Sequence, residues 1–303
     1  MVRLLALALF FPVPAFATTG LAWQWPAEGH RFLMAARVDL PAPLLVPAER
    51  NAELRTSSFD LTVVTSCVPA EPAPKKGFRL ACKVEDFAIR TDEASAIEKD
   101  HIVPILSELD TKLTGASVQI VTDAEGHLKL FDLEGVVKDN ERQRAQFALS
   151  RLLLMRVFVL LDFELPKLGD DRGLAWRVSN SLVDGYPSDL GVTGSFPLDS
   201  VVESTDGSVV VVKQRAAGVV QSGEMSAVGS GQPTYVWEMA LDGTARFDVA
   251  SGRLIERQYV VEGSPAASSL ASSGARKYRQ VARLLALGPA EHPTLPESGI
   301  LAN

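Results

Sequence analysis

The chain has 303 residues, a formal net charge of −7, 47% hydrophobic residues and 22% charged residues. This composition is typical of a globular protein and excludes the disordered and collagen-like classes. The acidic balance argues against a nucleic-acid binder, which would need a basic face. Two cysteines are too few for a disulfide-dense mini-scaffold or, by themselves, for a structural zinc site.

The N-terminal segment has the pattern of a secretory signal peptide. Arg3 supplies a positive charge, residues 4–11 form a short apolar run, and an A-x-A cleavage site ends at Ala17. The run is too short to span a bilayer. The alternative is a buried N-terminal helix or strand. The pattern predicts that residues 1–17 are removed and that the protein is exported to the periplasm or out of the cell.

A second apolar run, residues 152–161, is interrupted by Arg156. A membrane span needs about 20 apolar residues. We therefore expect this run to lie inside the fold, and we expect no transmembrane span once the signal peptide is gone.

The first predicted strands are residues 30–40 and a hairpin over residues 53–90 that contains both cysteines. Apolar residues alternate on each side of the turn-rich stretch 69–77, which places Cys67 and Cys82 on the same face. An oxidising compartment would preserve a disulfide between them. The alternatives are two free buried thiols or a redox pair, although the C-x-x-C spacing of redox pairs is absent.

Two helices and a further hairpin follow. Residues 104–113 have an apolar stripe at helical spacing, and residues 118–133 alternate around a turn. The strongest helix covers residues 140–161, where Asn140 is a suitable N-cap and Pro166 is expected to end the helix. Its second half is apolar on every side, which predicts that it is covered on every side.

After residue 170 the periodicity is that of strands. Asp206-Gly207 and Ser251-Gly252 lie between alternating stretches and predict two hairpins. Residues 235–241 read as a strand, and residues 275–287 fit either a strand or a turn of helix.

These elements predict an α+β fold of mainly antiparallel sheet, half-barrel-like, packed on the long buried helix 140–161. We expect an α+β half over residues 18–166, with the disulfide hairpin and two helices. A mainly antiparallel half over residues 167–287 would form one continuous unit with it, and residues 288–303 would be a flexible tail.

Short stretches resemble a family of secreted bacterial proteins of unknown function, the DUF6263-like proteins. They are residues 245–248 (ARFD), 251–254 (SGRL) and 163–166 (FELP) ahead of Trp176. This resemblance covers residues 160–262 and implies no activity. The layout as a whole is similar to that of lipoprotein-carrier half-barrels, which implies a curved sheet that cups a helix over an apolar groove.

Such a groove would be lined by apolar side chains of the long helix and of the strand that begins near residue 235. The candidates are Phe147, Leu154, Phe158, Tyr235 and Trp237. Aromatic residues of this kind more often pack in a core.

No motif for catalysis, metal binding or cofactor binding is present. His30, His101, His127 and His292 have no paired metal spacing, and we expect each to be a surface or capping residue. The sequence contains no G-x-S-x-G turn, phosphate-binding loop or dinucleotide fingerprint. We therefore predict no catalytic residue, no metal and no cofactor.

Two functions are favoured equally. The first is a cell-envelope protein that binds an apolar ligand such as a lipid. The second is a structural or interaction module that contacts an envelope protein and holds no small ligand. A hydrolase with scattered catalytic residues is a third hypothesis, which a cleft that joins histidine and carboxylate side chains would favour.

Overall fold

The structure is a computed structural model. It describes residues 21–40, 57–72, 74, 76–91, 107–134, 141–166, 175–178, 192–222, 235–265, 278–289 and 291. The predicted signal peptide, the N-cap Asn140, and the residues His101 and His292 lie outside these ranges, and so does the tail from residue 292 onward.

The described residues form twelve β-strands in one antiparallel sheet. The strands are β1 His30–Leu40, β2 Ser57–Pro69, β3 Phe78–Thr91, β4 Ser117–Thr122, β5 Leu128–Glu134, β6 Ala175–Val178, β7 Val192–Ser195, β8 Leu198–Asp206, β9 Val209–Ser222, β10 Tyr235–Asp248, β11 Arg253–Pro265 and β12 Tyr278–Leu287. Their order is β5-β4-β3-β2-β1-β12-β11-β10-β9-β8-β6, with β7 paired to β9. All of these pairings are antiparallel, so the prediction of a mainly antiparallel sheet is confirmed. The sheet is open.

The first and last strands are neighbours. β1 pairs with β12, which aligns Met34 with Leu284 and Ala36 with Ala282. All four side chains are fully buried. This pairing connects the N-terminal strands to the C-terminal strands within one sheet. It also shows that residues 278–287 form a strand and not a helix turn.

The two faces of the sheet differ because side chains alternate along each strand. The inner face is apolar and contributes most of the hydrophobic core. The outer face carries cross-strand ion pairs, such as Arg215 with Asp242 and Arg279 with Glu262. Apolar exceptions on this face include a small buried cluster of Leu33, Val64 and Leu287 and the exposed side chains of Val201 and Val219. The core therefore lies on one side of the sheet.

Two α-helices lie in the described part of the chain. Residues 107–113 form α1, which is followed by Gly115 at φ +86°. Helix α2 is Glu141–Phe158, and Val159–Leu161 continue it as a 3₁₀ turn. Every residue from 153 to 161 is buried, and α2 packs mainly on β1, β2, β5 and β12. Burial of the whole helix stays a prediction, because few side chains of its first half are described.

The end of α2 differs from the prediction. Regular helix stops at Phe158 and the backbone leaves the 3₁₀ turn at Asp162, four residues before Pro166. Pro166 is therefore not the residue that ends the helix. The carbonyl groups at this end have donors on β11 instead, as described below.

The cysteine hairpin is formed as expected. Cys67 and Cys82 are directly opposite in the β2–β3 register and form a disulfide. Both are buried in the main core. The alternative of two free thiols is thus wrong, and the burial of both sulfurs favours a structural bond over a redox pair.

Candidate functional site

The structure places the predicted groove residues in two regions. Leu154 and Phe158 of α2 are fully buried against the sheet, and Phe147 is half-buried at the edge of the same core. Tyr235 and Trp237 lie at the start of β10, opposite Ser222 and Val220 of β9. The side chains of these two aromatic residues are not among those described, so their place in a groove stays a prediction.

The inner face of β9, β10 and β11 lies to one side of the strands on which α2 packs. One row across it is Ala216, Leu241 and Val261, all buried. The next row contains only one side chain larger than hydrogen, that of Met239, between Gly218 and Gly263. We call these two rows the apolar floor. Gly218 and Gly263 add no side chain above the strands, while the three residues of the first row are already covered.

A fully buried arginine lies on the same face, separated from the apolar floor by the row of Gln214, Gly243 and Tyr259. Arg257 of β11 faces inward and donates from Nη1 to the carbonyl oxygens of Val159, Leu160 and Asp162, at 3.2, 3.1 and 2.7 Å. Its Nε donates to the side-chain oxygen of Gln214 at 3.0 Å. The Val159 carbonyl also accepts from the N–H of Asp162, whereas Arg257 supplies a donor to the carbonyls of Leu160 and Asp162. Arg257 therefore caps this end of the helix.

The surroundings of the Arg257 guanidinium are largely apolar. The rings of Phe163 and Tyr259 lie 5.6 and 5.7 Å from its central carbon. Burial lowers the pKa of Arg257, and Tyr259 and the Asp162 carboxylate oppose this effect. An arginine remains protonated in a protein, so the group is a buried cation. Its Nη2 is buried and makes no hydrogen bond within the described part of the chain.

A histidine and a carboxylate meet at the same end of α2. His127 Nδ1 lies 3.1 Å from Asp162 Oδ1, which also accepts a hydrogen bond from the backbone N–H of Leu128. The Asp162 hydrogen bond raises the pKa of His127 against the opposing effect of burial. Burial is the main cause of the raised pKa of Glu164, whose carboxylate lies 3.9 Å from His127.

The expectation that the histidines lie at the surface is wrong for His127 and His30. Both are buried, His127 because β5 begins against the segment that follows α2, and His30 because it packs beside Trp25 and Phe32. Burial is also the main cause of the lowered pKa of His30.

The histidine–carboxylate pair has no reactive partner. The hydrogen bonds and ion pairs of His127 involve Asp123, Asp162 and Glu164, and no hydroxyl or thiol within the described residues. A general base without a nucleophile or an open cleft does not form a hydrolase site. This pair holds the chain together and gives no support to the hydrolase hypothesis.

The extended segment after the 3₁₀ turn is anchored from several elements. The indole N–H groups of Trp23 and Trp176 donate to the carbonyls of Phe163 and Glu164, and the Leu165 N–H donates to Glu125. Together with the Arg257 bonds, these contacts hold residues 162–166 over one end of the inner face. We call these residues the covering segment.

A small cavity lies beside this segment. Its volume is about 10 Å³, and it is lined by Trp23, Trp25, Leu80, Ile120, Thr122, Gly126, Leu128 and Leu161. That space is close to the minimum for one water molecule and is far too small for an acyl chain.

Sequence patterns could have indicated Arg257 but not its partners. Leu254, Tyr259 and Val261 all face inward, and a bulge in the β10–β11 pairing changes the alternation between Leu254 and Arg257. Arg257 lies two residues before Tyr259 and four before Val261. This period-two spacing is the sequence signal that it faces inward. Its bonds to the end of α2 join residues about 100 positions apart, and no local pattern reports such contacts.

Within the described ranges, no group of three or more metal-ligating side chains could hold an ion. No helix in the part of the chain that the structure describes has the length and hydropathy needed to cross a membrane.

Comparisons with known proteins give little. No protein-family model and no curated protein matches the chain. Among solved structures, one that reports lipid–protein interactions in lipovitellin is similar over 87% of this chain, with a TM-score of 0.44 and 10% identity. This chain spans about a quarter of that one, 26% of its length.

Proposed function

We propose that the protein is exported to the cell envelope and holds an apolar ligand, such as a lipid, on the inner face of its sheet. The observation that carries the proposal is the apolar floor, where Gly218 and Gly263 flank Met239 in a region beside the strands that α2 covers. Binding sites for apolar molecules are concave and lined mainly by apolar groups.

Export is supported by two features. Residues 1–17 have the signal-peptide pattern, and the buried Cys67–Cys82 disulfide is of a kind that persists in oxidising compartments. Of the predicted groove residues on α2, Phe147 keeps exposed surface for a ligand, whereas Leu154 and Phe158 are fully buried. Tyr235 and Trp237 lie on β10 at the far end of the floor.

The test is a pair of substitutions on adjacent positions of β10. Met239 faces the floor and is half-buried, whereas Ala240 is exposed on the outer face. Met239→Trp should fill the space between the two glycines and weaken binding of the neutral fluorescent probe N-phenyl-1-naphthylamine about tenfold or more. Ala240→Trp should leave the affinity unchanged. Equal probe binding by both variants, with far-ultraviolet circular dichroism showing that both are folded, would place the ligand elsewhere.

A module without a small ligand is the second candidate. It is favoured by the complete burial of Leu154 and Phe158, which leaves no open space at those two positions. If the wild-type chain binds no apolar probe and co-purifies with an envelope protein, this candidate replaces the first.

A further inference from the structure

The apolar floor has one polar end. On β11 the inward positions run from Arg257 through Tyr259 and Val261 to Gly263. At about 3.4 Å per residue, six residues of strand span about 20 Å. A cation at one end, the ring of Tyr259 beside it and smaller apolar residues beyond match a molecule with a charged head and a long apolar chain.

Among the residues that the structure describes, no carboxylate accepts a hydrogen bond from Arg257. Its bonds go to three backbone carbonyls and one amide oxygen. The nearby Asp162 carboxylate directs Oδ1 to His127 and Leu128, while its Oδ2 is buried without a partner. Buried charges are normally paired, because desolvation is costly unless an opposite charge compensates for it.

One nitrogen of the guanidinium, Nη2, has no hydrogen-bond acceptor among the described residues. Nη2 carries two N–H groups and is buried, yet it makes no hydrogen bond to the described residues. An anionic oxygen at Nη2 would therefore add a bond to the four that hold Arg257, once the residues above it have closed again. Guanidinium groups bind carboxylates and phosphates strongly through charge-assisted hydrogen bonds.

We propose that Arg257 Nη2 binds the anionic head of a single-chain amphiphile whose apolar chain lies along the apolar floor. This inference rests on the proposed function and names its ligand class, an acyl or alkyl chain that ends in a carboxylate or a phosphate. Because Arg257 has no exposed surface, the covering segment must open locally before the anion reaches it, and association should be slower than diffusion.

The first experiment compares three ligands of equal chain length on the full wild-type chain at neutral pH. Dodecanoate, dodecyl phosphate and dodecanol each compete with N-phenyl-1-naphthylamine, which is itself neutral. At least one of the two anions should displace the probe at a concentration about tenfold or more below that of dodecanol. The stronger of the two anions identifies the head group as carboxylate or phosphate.

The second experiment adds an internal anion beside Arg257. In Gln214→Glu the glutamate has nearly the same shape as the glutamine and can still accept a hydrogen bond from Arg257 Nε. The wild-type amide donates to the Ser200 hydroxyl at 3.2 Å, and the glutamate can accept from that hydroxyl instead. The new carboxylate should pair with the guanidinium. In this variant the anionic ligands and dodecanol should then displace the probe at about the same concentration, with dodecanol binding as it does to the wild type. Gln258→Glu is the matched control, because Gln258 is exposed on the outer face next to Arg257.

The outcomes separate this inference from the proposed function. If none of the three ligands displaces the probe, or the probe itself does not bind, both fail. If all three ligands bind equally to the wild type, the chain holds an apolar ligand but Arg257 does not bind its head. If Gln214→Glu and Gln258→Glu lower the anion preference to the same extent, the effect is one of overall charge and the assignment to Arg257 is wrong. Should Gln214→Glu fail to fold, the wild-type ligand comparison still decides.

Discussion

At the scale of residues, the two buried histidines should affect stability in opposite directions. The folded-state pKa of His127 is raised by its hydrogen bond to Asp162, whereas that of His30 is lowered by burial. The His127 contribution is therefore fully present below pH about 6.5 and is lost as the pH rises through the raised value. His30 is buried as the neutral imidazole, so its effect on stability has the opposite pH dependence. The protein loses stability as the pH falls below about 6.5 and protonation of His30 begins to favour the unfolded chain.

Urea unfolding between pH 5 and 9 tests this contrast. His127→Gln should cost about 1.5–3 kcal/mol at pH 5.5, the range for a charge-assisted hydrogen bond, and less at pH 8.5. His30→Gln, the matched control, should not share this trend and should flatten the loss of stability at low pH. A cost of His127→Gln that does not change with pH would show that the Asp162 contact is not charge-assisted.

Two glycines at positive φ test how tightly the anchored segment is packed. A Cβ at Gly126 would clash with Trp23 Nε1, while a Cβ at Gly207 would meet nothing within 4 Å. Gly207→Ala should cost about 1–2 kcal/mol from its backbone conformation alone. Gly126→Ala should cost about 3 kcal/mol or more, because it also displaces the indole that donates to Phe163. Equal unfolding free energies for the two variants would mean that Trp23 moves aside freely.

At the scale of elements, the cysteine hairpin is the part that sequence patterns predicted best. Alternation on both sides of the 69–77 turn placed Cys67 and Cys82 on one face, and the register places them opposite each other. The hairpins at Asp206-Gly207 and Ser251-Gly252 were equally readable, since turn chemistry and period two are local signals. The end of α2 was not readable, because the donors that fix it come from distant β11.

Removal of the disulfide should destabilise the chain substantially. The bond closes a loop with a sequence separation of 15 residues, for which the chain-entropy model gives about 3 kcal/mol. Cys67→Ala with Cys82→Ala should lower the unfolding free energy by at least that amount, since both sites are in the core. Dithiothreitol should leave the native wild-type chain oxidised until urea exposes the sulfurs. A loss below about 1 kcal/mol would contradict the predicted role.

At the scale of the whole molecule, local patterns predicted the class of fold but not the strand order. The pairing of β1 with β12 joins residues about 250 positions apart, and only the matched apolar rows of Phe32, Met34 and Ala36 facing Leu284 and Ala282 specify it. Of the five predicted groove residues, three belong to α2 and two to β10, and their place in a groove stays a prediction. The apolar floor and Arg257 were missed because glycines give no apolar signal and a charged residue was not expected inside.

Native mass spectrometry of the full chain, produced in a bacterium and purified without detergent, would show whether the exported protein carries an amphiphile. We expect a protein mass that begins at Thr18 and carries one additional non-covalent mass, that of a single-chain amphiphile, which dodecanoate or dodecyl phosphate in excess can replace. A chain that retains residues 1–17, shows no bound mass and takes up neither amphiphile would contradict both the export and the ligand-binding parts of the account.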